Sequence, residues 1–294
     1  MTAARYRALV ALADTGSVRA AARQLVVTES AVSAAVTALA RELGVGLVSR
    51  SGRGVVLTDE GLIYSRYARR ILGLTEQARS AVHGARDPAR GQLRLAAVTT
   101  AGEHVLPRAV AGFLARYADA RVGLHVDRSD RIWRLLEDHE VDLVIAGRPP
   151  GHLGVTVGAV RPNRLIVVGT PAMARDFDLR RTPWLQREEG SGTRVAAEGF
   201  LHARDADPPR LVLGSNGAVI AGALAGLGVT LVSEDAVGGP LAAGELRPLR
   251  LTGMPLHRPW HAAYWPGLPA TARLFLDYLR TESGWSRPRG RSRG

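Results

Sequence analysis

The stretch VVTESAVSAAVTALARELGV, Val26–Val45, carries no basic residue between Thr28 and Ala40, yet it lies in a chain of net charge +12. Val32, Val36 and Leu39 fall at i, i+4 and i+7, so one face of a helix beginning at Glu29 belongs to a core. Glu29, Ser30, Ser33 and Thr37 lie off that stripe, beside the small Ala34 and Ala35. Taken alone, this is any amphipathic helix with a polar face in water. The flanks make it more specific. Upstream, Tyr6, Leu9, Val10 and Leu12 recur at helical spacing until Asp14-Thr15-Gly16 breaks the pattern. Ser17 can cap a second short helix, VRAAARQL, and Thr28 a third, with a turn of about three residues between them. Downstream, LVSRSGRGVVLT gives a strand, a tight turn and another strand. Three helices and a hairpin in this order predict a winged helix-turn-helix. In that frame the polar face of the third helix points to the major groove. Small residues permit close approach, and hydroxyls or a carboxylate can bond base edges, Glu favouring cytosine N4.

Charge distribution agrees with a nucleic-acid partner at this end. Residues 1–90 hold 13 arginines against 7 acids, about half of the whole excess. All 39 basic residues are arginine, and cysteine is absent, which excludes disulfides and thiolate metal sites. The first residues lack a signal-peptide layout, and no run of about 18 apolar residues occurs, so a cytoplasmic protein without membrane contact is expected.

Ser17–Arg50, SVRAAARQLVVTESAVSAAVTALARELGVGLVSR, resembles the signature of the LysR-type transcriptional regulators. Gly16-Ser17, Ala21-Ala22, Leu25, Val27-Thr28, Ala31-Val32-Ser33 and Glu42-Leu43-Gly44 match its usual form, as does the wing Arg50-Ser51-Gly52-Arg53-Gly54 followed by Leu57-Thr58. The resemblance implies promoter DNA as partner, with Thr28, Glu29, Ser30, Ser33 and Thr37 near the bases. Two positions depart from the family: Glu29 stands where Gln is usual, and Ala34 where a basic or polar residue is frequent. Glu29 cannot make the bidentate adenine contact of Gln and repels phosphate. Phosphate anchoring is therefore expected from Arg19, Arg23, Arg50 and Arg53.

From Asp59 the chain runs without proline to Asp87-Pro88, and Ile63, Tyr67, Ile71, Leu74, Ala78 and Val82 form a near-heptad seam. A helix of about 40 Å cannot bury itself in so small a domain. The seam points to a dimerising linker; in the LysR type such a helix pairs two DNA-reading heads. The expected assembly is a homodimer or homotetramer, and the family implies RNA polymerase as a further partner.

Beyond Gln92 apolar strands alternate with helices: LRLAAV, RVGLHV, VDLVIAG, LIVVG, RLVLG, GVTLVS and WHAAYW. Such alternation predicts an α/β domain with mainly parallel strands, and ligands bind beyond their carboxyl ends. That rule selects Thr99, Thr100, Arg148 and Asn216. The loop EEGSGTR, Glu188–Arg194, adds Ser191, Gly192 and Thr193, whose amides at a helix start can form an anion nest. A plain surface turn is the competing account. The family's effector domain has two Rossmann-like lobes of periplasmic-binding-protein type with the ligand between them. GSGTR, LGSN and MPLHRPW resemble the CbbR-like branch, which controls carbon-fixation genes and implies a small anionic effector.

The expected organisation is thus a DNA-binding domain at 1–58, a linker helix at 59–87, an effector domain at 88–283 and a basic, disordered tail at 284–294. Lobe one would hold about 91–160 and 266–283, and lobe two about 161–265. An enzyme is not expected: the eight histidines are scattered, HExxH and GxSxG are absent, and without lysine there is no Walker-A or Schiff-base site. No cofactor, catalytic residue or metal site is assigned. The alternatives are a ligand-independent DNA-binding protein and a cytoplasmic solute-binding protein, the latter leaving the first 90 residues without a purpose.

Overall fold

A computed structural model describes residues 2–51 and 54–288. The chain divides into two compact units, Met1–Val82 with Glu137–Glu140, and His83–Leu136 with Val141–Gly294.

The first unit opens with α1 (Ala3–Thr15), α2 (Val18–Leu25) and α3 (Glu29–Leu43). Each boundary has a local cause. Gly16 ends α1 and Gly44 ends α3, both in the left-handed region that glycine enters without a Cβ penalty. The Ser17 hydroxyl accepts from the Ala20 amide and the Thr28 hydroxyl from the Ala31 amide, so both short helices begin on a side-chain cap. Val32, Val36 and Leu39 pack with Leu9, Leu12 and Ala21 into a shared core. An antiparallel hairpin, β1 (Val48–Ser51) and β2 (Gly54–Leu57), follows as the wing.

Next comes α4 (Asp59–Arg86), 28 residues long. Its two faces differ. Tyr64, Ala68 and Leu72 pack on the three-helix core, with the Tyr64 ring 6.3 Å from that of Tyr6. Gly61 allows this approach, because a Cβ there would lie 2.0 Å from the Leu47 carbonyl oxygen. Arg69 pairs with Asp14 of α1. The other face leaves Ile63, Tyr67, Ile71, Leu74 and Val82 exposed, which is the seam foreseen from spacing.

In the second unit, β3 (Gln92–Val98), α5 (Thr99–His104), α6 (Leu106–Arg116), β4 (Arg121–Asp127), α7 (Ser129–Glu137), β5 (Leu143–Ala146) and β6 (Thr156–Arg161) build lobe one. The chain then crosses into lobe two, with β7 (Arg164–Gly169), α8 (Pro171–Arg175), β8 (Trp184–Gln186), α9 (Gly192–His202), β9 (Arg210–Val212), α10 (Asn216–Leu224), β10 (Thr230–Ser233), α11 (Gly238–Ala242), β11 (Arg247–Pro248) and β12 (Leu256–His257). It returns through β13 (Trp260–Tyr264) and α12 (Ala270–Glu282).

Lobe one is a five-stranded sheet in the order β4-β3-β5-β13-β6. One face is covered by Leu106 and Phe113 of α6 with Phe275, Leu276 and Leu279 of α12, the other by Ile132, Trp133 and Leu136 of α7. In lobe two β7 pairs with β10, β11 and β12, and β8 pairs with β9. Trp184, Phe200 and Leu231 fill one side of it, and Leu185, Val219 and Val232 the other.

Three expectations are corrected. The strands are not mainly parallel: β3 is parallel to β4 and β5, and β8 to β9, but β13 and every partner of β7 run antiparallel. The strand WHAAYW does not belong to lobe two, since β13 sits between β5 and β6 in the lobe-one sheet. The segment from Gly284 does not begin as a solvated tail. Trp285 is 3% exposed within the lobe-one core, and Ser286 exchanges two 2.8 Å backbone hydrogen bonds with Val160. The tail's end, 289–294, lies outside the described residues.

Among the described residues two crossovers join the lobes, at 162–163 and 258–259, and they are tied to each other. The Arg258 amide donates to the Asn163 carbonyl at 3.0 Å, and the Asn163 side-chain amide donates to the Arg258 carbonyl at 2.9 Å. Ser233 donates to Asn163 Oδ1 at 2.7 Å, fixing the side chain's orientation. Beside them Arg161 makes two hydrogen bonds to Asp235, at 2.7 and 2.9 Å. Burial works to raise the Asp235 pKa, but the guanidinium holds it below the ordinary carboxylate value.

Candidate functional site

Two places carry chemistry, one in each unit. In the first, α3 presents Glu29, Ser30, Ser33, Ala34 and Thr37 to solvent while its apolar stripe is buried. Arg19 and Arg23 of α2 and Arg50 of the wing are also exposed. Arg53 lies outside the described residues. The Thr28 hydroxyl is already engaged, by the Ala31 amide at 3.2 Å and by the Ser30 hydroxyl at 2.9 Å, so its first role is to start the helix. The turn before it is unusual. Val26 adopts φ +56° and is 90% exposed, a β-branched residue in the left-handed region with little packing in return.

In the second unit a small cleft of about 80 Å3 opens between the lobes. Thr99 and Thr100, at the start of α5 beyond the end of β3, meet Gly147 and Arg148 beyond the end of β5. Ser191, Gly192 and Thr193 face them from the start of α9, where the Ser191 hydroxyl caps the helix by accepting from the Arg194 amide. Six of the seven positions selected from sequence thus line one cavity. Asn216 stands behind it: 1% exposed, its Oδ1 accepts from Arg187 at 3.3 Å and its Nδ2 has no partner.

Sequence reasoning missed Arg128, Arg187 and Arg258, which bring the guanidinium groups at the cleft to four. They are not equivalent. Arg187 is 5% exposed and held by Glu188 at 2.7 and 2.8 Å, and Arg128 pairs with Asp130 at 2.9 Å. Arg258 donates at 2.5 Å to the Gly192 carbonyl. Neither it nor Arg148 has a carboxylate at ion-pair distance among the described residues, and burial lowers the Arg258 pKa. Two positive charges at the cleft are therefore uncompensated, and an orphan amide donor lies just behind. A site built this way favours a small anion with more than one negative charge.

Family models account for the chain in the same two parts. Residues 4–62 match the bacterial regulatory helix-turn-helix proteins of the lysR family, and residues 86–284 match the LysR substrate binding domain. The chain is a LysR-type transcriptional regulator. Its relatives include the RuBisCO operon transcriptional regulator of Allochromatium vinosum, 31% identical over 95% of each chain. The regulator CbbR of Xanthobacter flavus is also 31% identical, over 95% of this chain and 87% of its own. Among solved structures, the CcmR regulatory domain of Synechocystis PCC6803, in complex with 2-PG, is 29% identical with a TM-score of 0.59. That match covers 65% of this chain and 97% of the other. This LysR-type regulator thus has a winged DNA-binding head and a two-lobed effector domain, and its curated relatives are regulators rather than enzymes. Among the described residues no helix is long and apolar enough to cross a membrane, and no cluster of side chains could hold a metal ion.

Proposed function

We propose that this regulator binds promoter DNA through the exposed face of α3, flanked by Arg19, Arg23 and Arg50, and responds to a small dianionic metabolite held in the lobe cleft. The observation that carries the effector class is the pair of arginines, Arg148 and Arg258, that face the cavity without a carboxylate. The Synechocystis CcmR domain, which was solved with 2-PG, supports a phosphorylated acid of about that size. Thr99, Thr100, Ser191, Gly192 and Thr193 supply neutral donors, and Asn216 orients Arg187. An anion between the lobes draws Arg148 of lobe one and the α9 start of lobe two onto the same charge, which favours closure. The RuBisCO-operon relatives make a promoter of that kind the first target to try, a role that suits a cytoplasmic protein.

Calorimetric titration of the full-length protein with 2-PG tests the effector class. Arg258→Ala is expected to weaken binding about 10- to 100-fold, because it removes a charge-assisted hydrogen bond from a cleft with little spare charge. Equal affinity in wild type and variant, or no binding of 2-PG by either, overturns this assignment.

The exposed seam of α4 supports self-association. Ile63, Tyr67, Ile71, Leu74 and Val82 form an apolar row along a helix whose other face is already buried. A second copy covers it by the heptad logic of its spacing. In sedimentation velocity, Ile71→Glu is expected to shift the wild-type dimer or tetramer toward monomer at micromolar protein; an unchanged distribution removes α4 from the interface.

A further inference from the structure

A second group of cations gathers outside the cleft, against the hinge. Arg148, His257, Arg258, His261 and Arg287 supply the polar wall of a broad depression of about 830 Å3. Val160 and Pro259 belong to its apolar wall, and among the described residues no carboxylate lines it. Arg287 has no carboxylate at ion-pair distance among the described residues, and Arg148 and Arg258 have none either. The His261 ring is partly buried beside the backbone of Pro259 and Gly147. Burial, and then the charge of Arg148, lower the His261 pKa against the raising effect of those backbone contacts.

The wall is built rather than draped. Trp285 anchors the C-terminal segment in the lobe-one core, and the Ser286–Val160 bridge sets the chain beside β6. Arg287 is therefore held next to the crossover at 258–259 and is not part of a free tail. Three guanidinium groups line one depression, and Arg148 and Arg287 are exposed there, open to an anion from solvent.

We propose that this depression is a second anion site, distinct from the lobe cleft, which takes the phosphate group of a small phosphorylated metabolite. Arg148, Arg258 and Arg287 provide the charge and His261 an imidazole beside them, while Val160 and Pro259 receive the apolar part of the ligand. Arg148 and Arg258 form the common wall of both sites. Two anions would thus share two cations, and occupancy of either site weakens the other, a coupling that is reciprocal by necessity. The arrangement suits a regulator that weighs two metabolites against each other.

The test uses full-length protein labelled with 13C-histidine and titrated with inorganic phosphate at constant pH. His261→Gln and His257→Gln assign the two imidazole signals. In the wild type the His261 signal is expected to shift saturably with phosphate. Arg287→Ala, which does not touch the cleft, should weaken that response about tenfold. Thr193→Val, which alters only the cleft, should leave it intact or tighten it, and a weakening as large as that of Arg287→Ala would overturn the proposal. No saturable shift, an equal shift with chloride at matched ionic strength, or an unaltered response in Arg287→Ala overturns the proposal. Should the cleft bind no anion at all, the His261 titration persists in wild type and in Thr193→Val alike, which separates the two claims.

Discussion

Trp285→Ala is expected to destabilise the effector domain by about 3–5 kcal/mol, the usual cost of deleting a buried large aromatic side chain. Trp285 is 3% exposed and belongs to the cluster of Phe275, Leu276 and Leu279. Its amide also donates to the Leu279 carbonyl at 3.2 Å, closing the end of α12. For a domain of roughly 200 residues this corresponds to a fall in Tm of about 6–20 °C, readable by calorimetry. Ending the chain after Gly284 should do at least as much harm, because the Ser286–Val160 bridge goes as well. A loss below about 1 kcal/mol would show that the segment is dispensable.

The second large effect is expected at Ser33. Its side chain is exposed one helical turn from Glu29 on the face of α3 that is free of the core. Ser33→Glu places a second carboxylate on a surface that must approach phosphates, and removes a small hydroxyl from the base-contacting row. Loss of a base contact costs about 1–3 kcal/mol, and the added repulsion deepens it, so specific binding should fall about 100-fold. Glu29→Gln acts in the opposite direction. It removes the one carboxylate at the start of α3 and restores a bidentate donor and acceptor, so a severalfold tightening is expected. Fluorescence anisotropy with the intergenic DNA beside the gene reads both. Unchanged binding by Ser33→Glu would place α3 outside the groove, and weaker binding by Glu29→Gln would mean that the carboxylate itself reads a base.

The head was almost wholly legible, because each decision there is local. Ser17, Thr28, Gly16 and Gly44 mark helix ends by side-chain or backbone chemistry, and a four-three spacing fixes which face is buried. The same holds for the seam of α4. The effector domain was legible as alternation but not as direction. TLVS of β10 and LIVVG of β7 are buried on both sides, and a uniformly apolar strand reads the same whichever way it runs. The place of β13 was hidden for a related reason: it follows lobe two in sequence but completes the sheet of lobe one.

At the cleft, loops that end strands were found by rule, whereas Arg128, Arg187 and Arg258 were not. In a chain whose 39 basic residues are all arginine, the residue type carries no signal of its own. Only the third dimension separates a guanidinium in a cavity from one in water. Trp285 was missed in the opposite sense. One aromatic residue among Gly, Ser, Pro and Arg does not alter the composition of the segment, but it is enough to dock it.

Consider finally the tie between Asn163 and Arg258. Two chain segments bonded to each other at the point where they pass between bodies can bend together but cannot slide past one another. Bending about that point strains the tie less than sliding does. A hinge of that kind turns a ligand between the lobes into a change of angle at one pivot. Asn163→Ala keeps the backbone bond but removes the side-chain one, and should loosen the pivot.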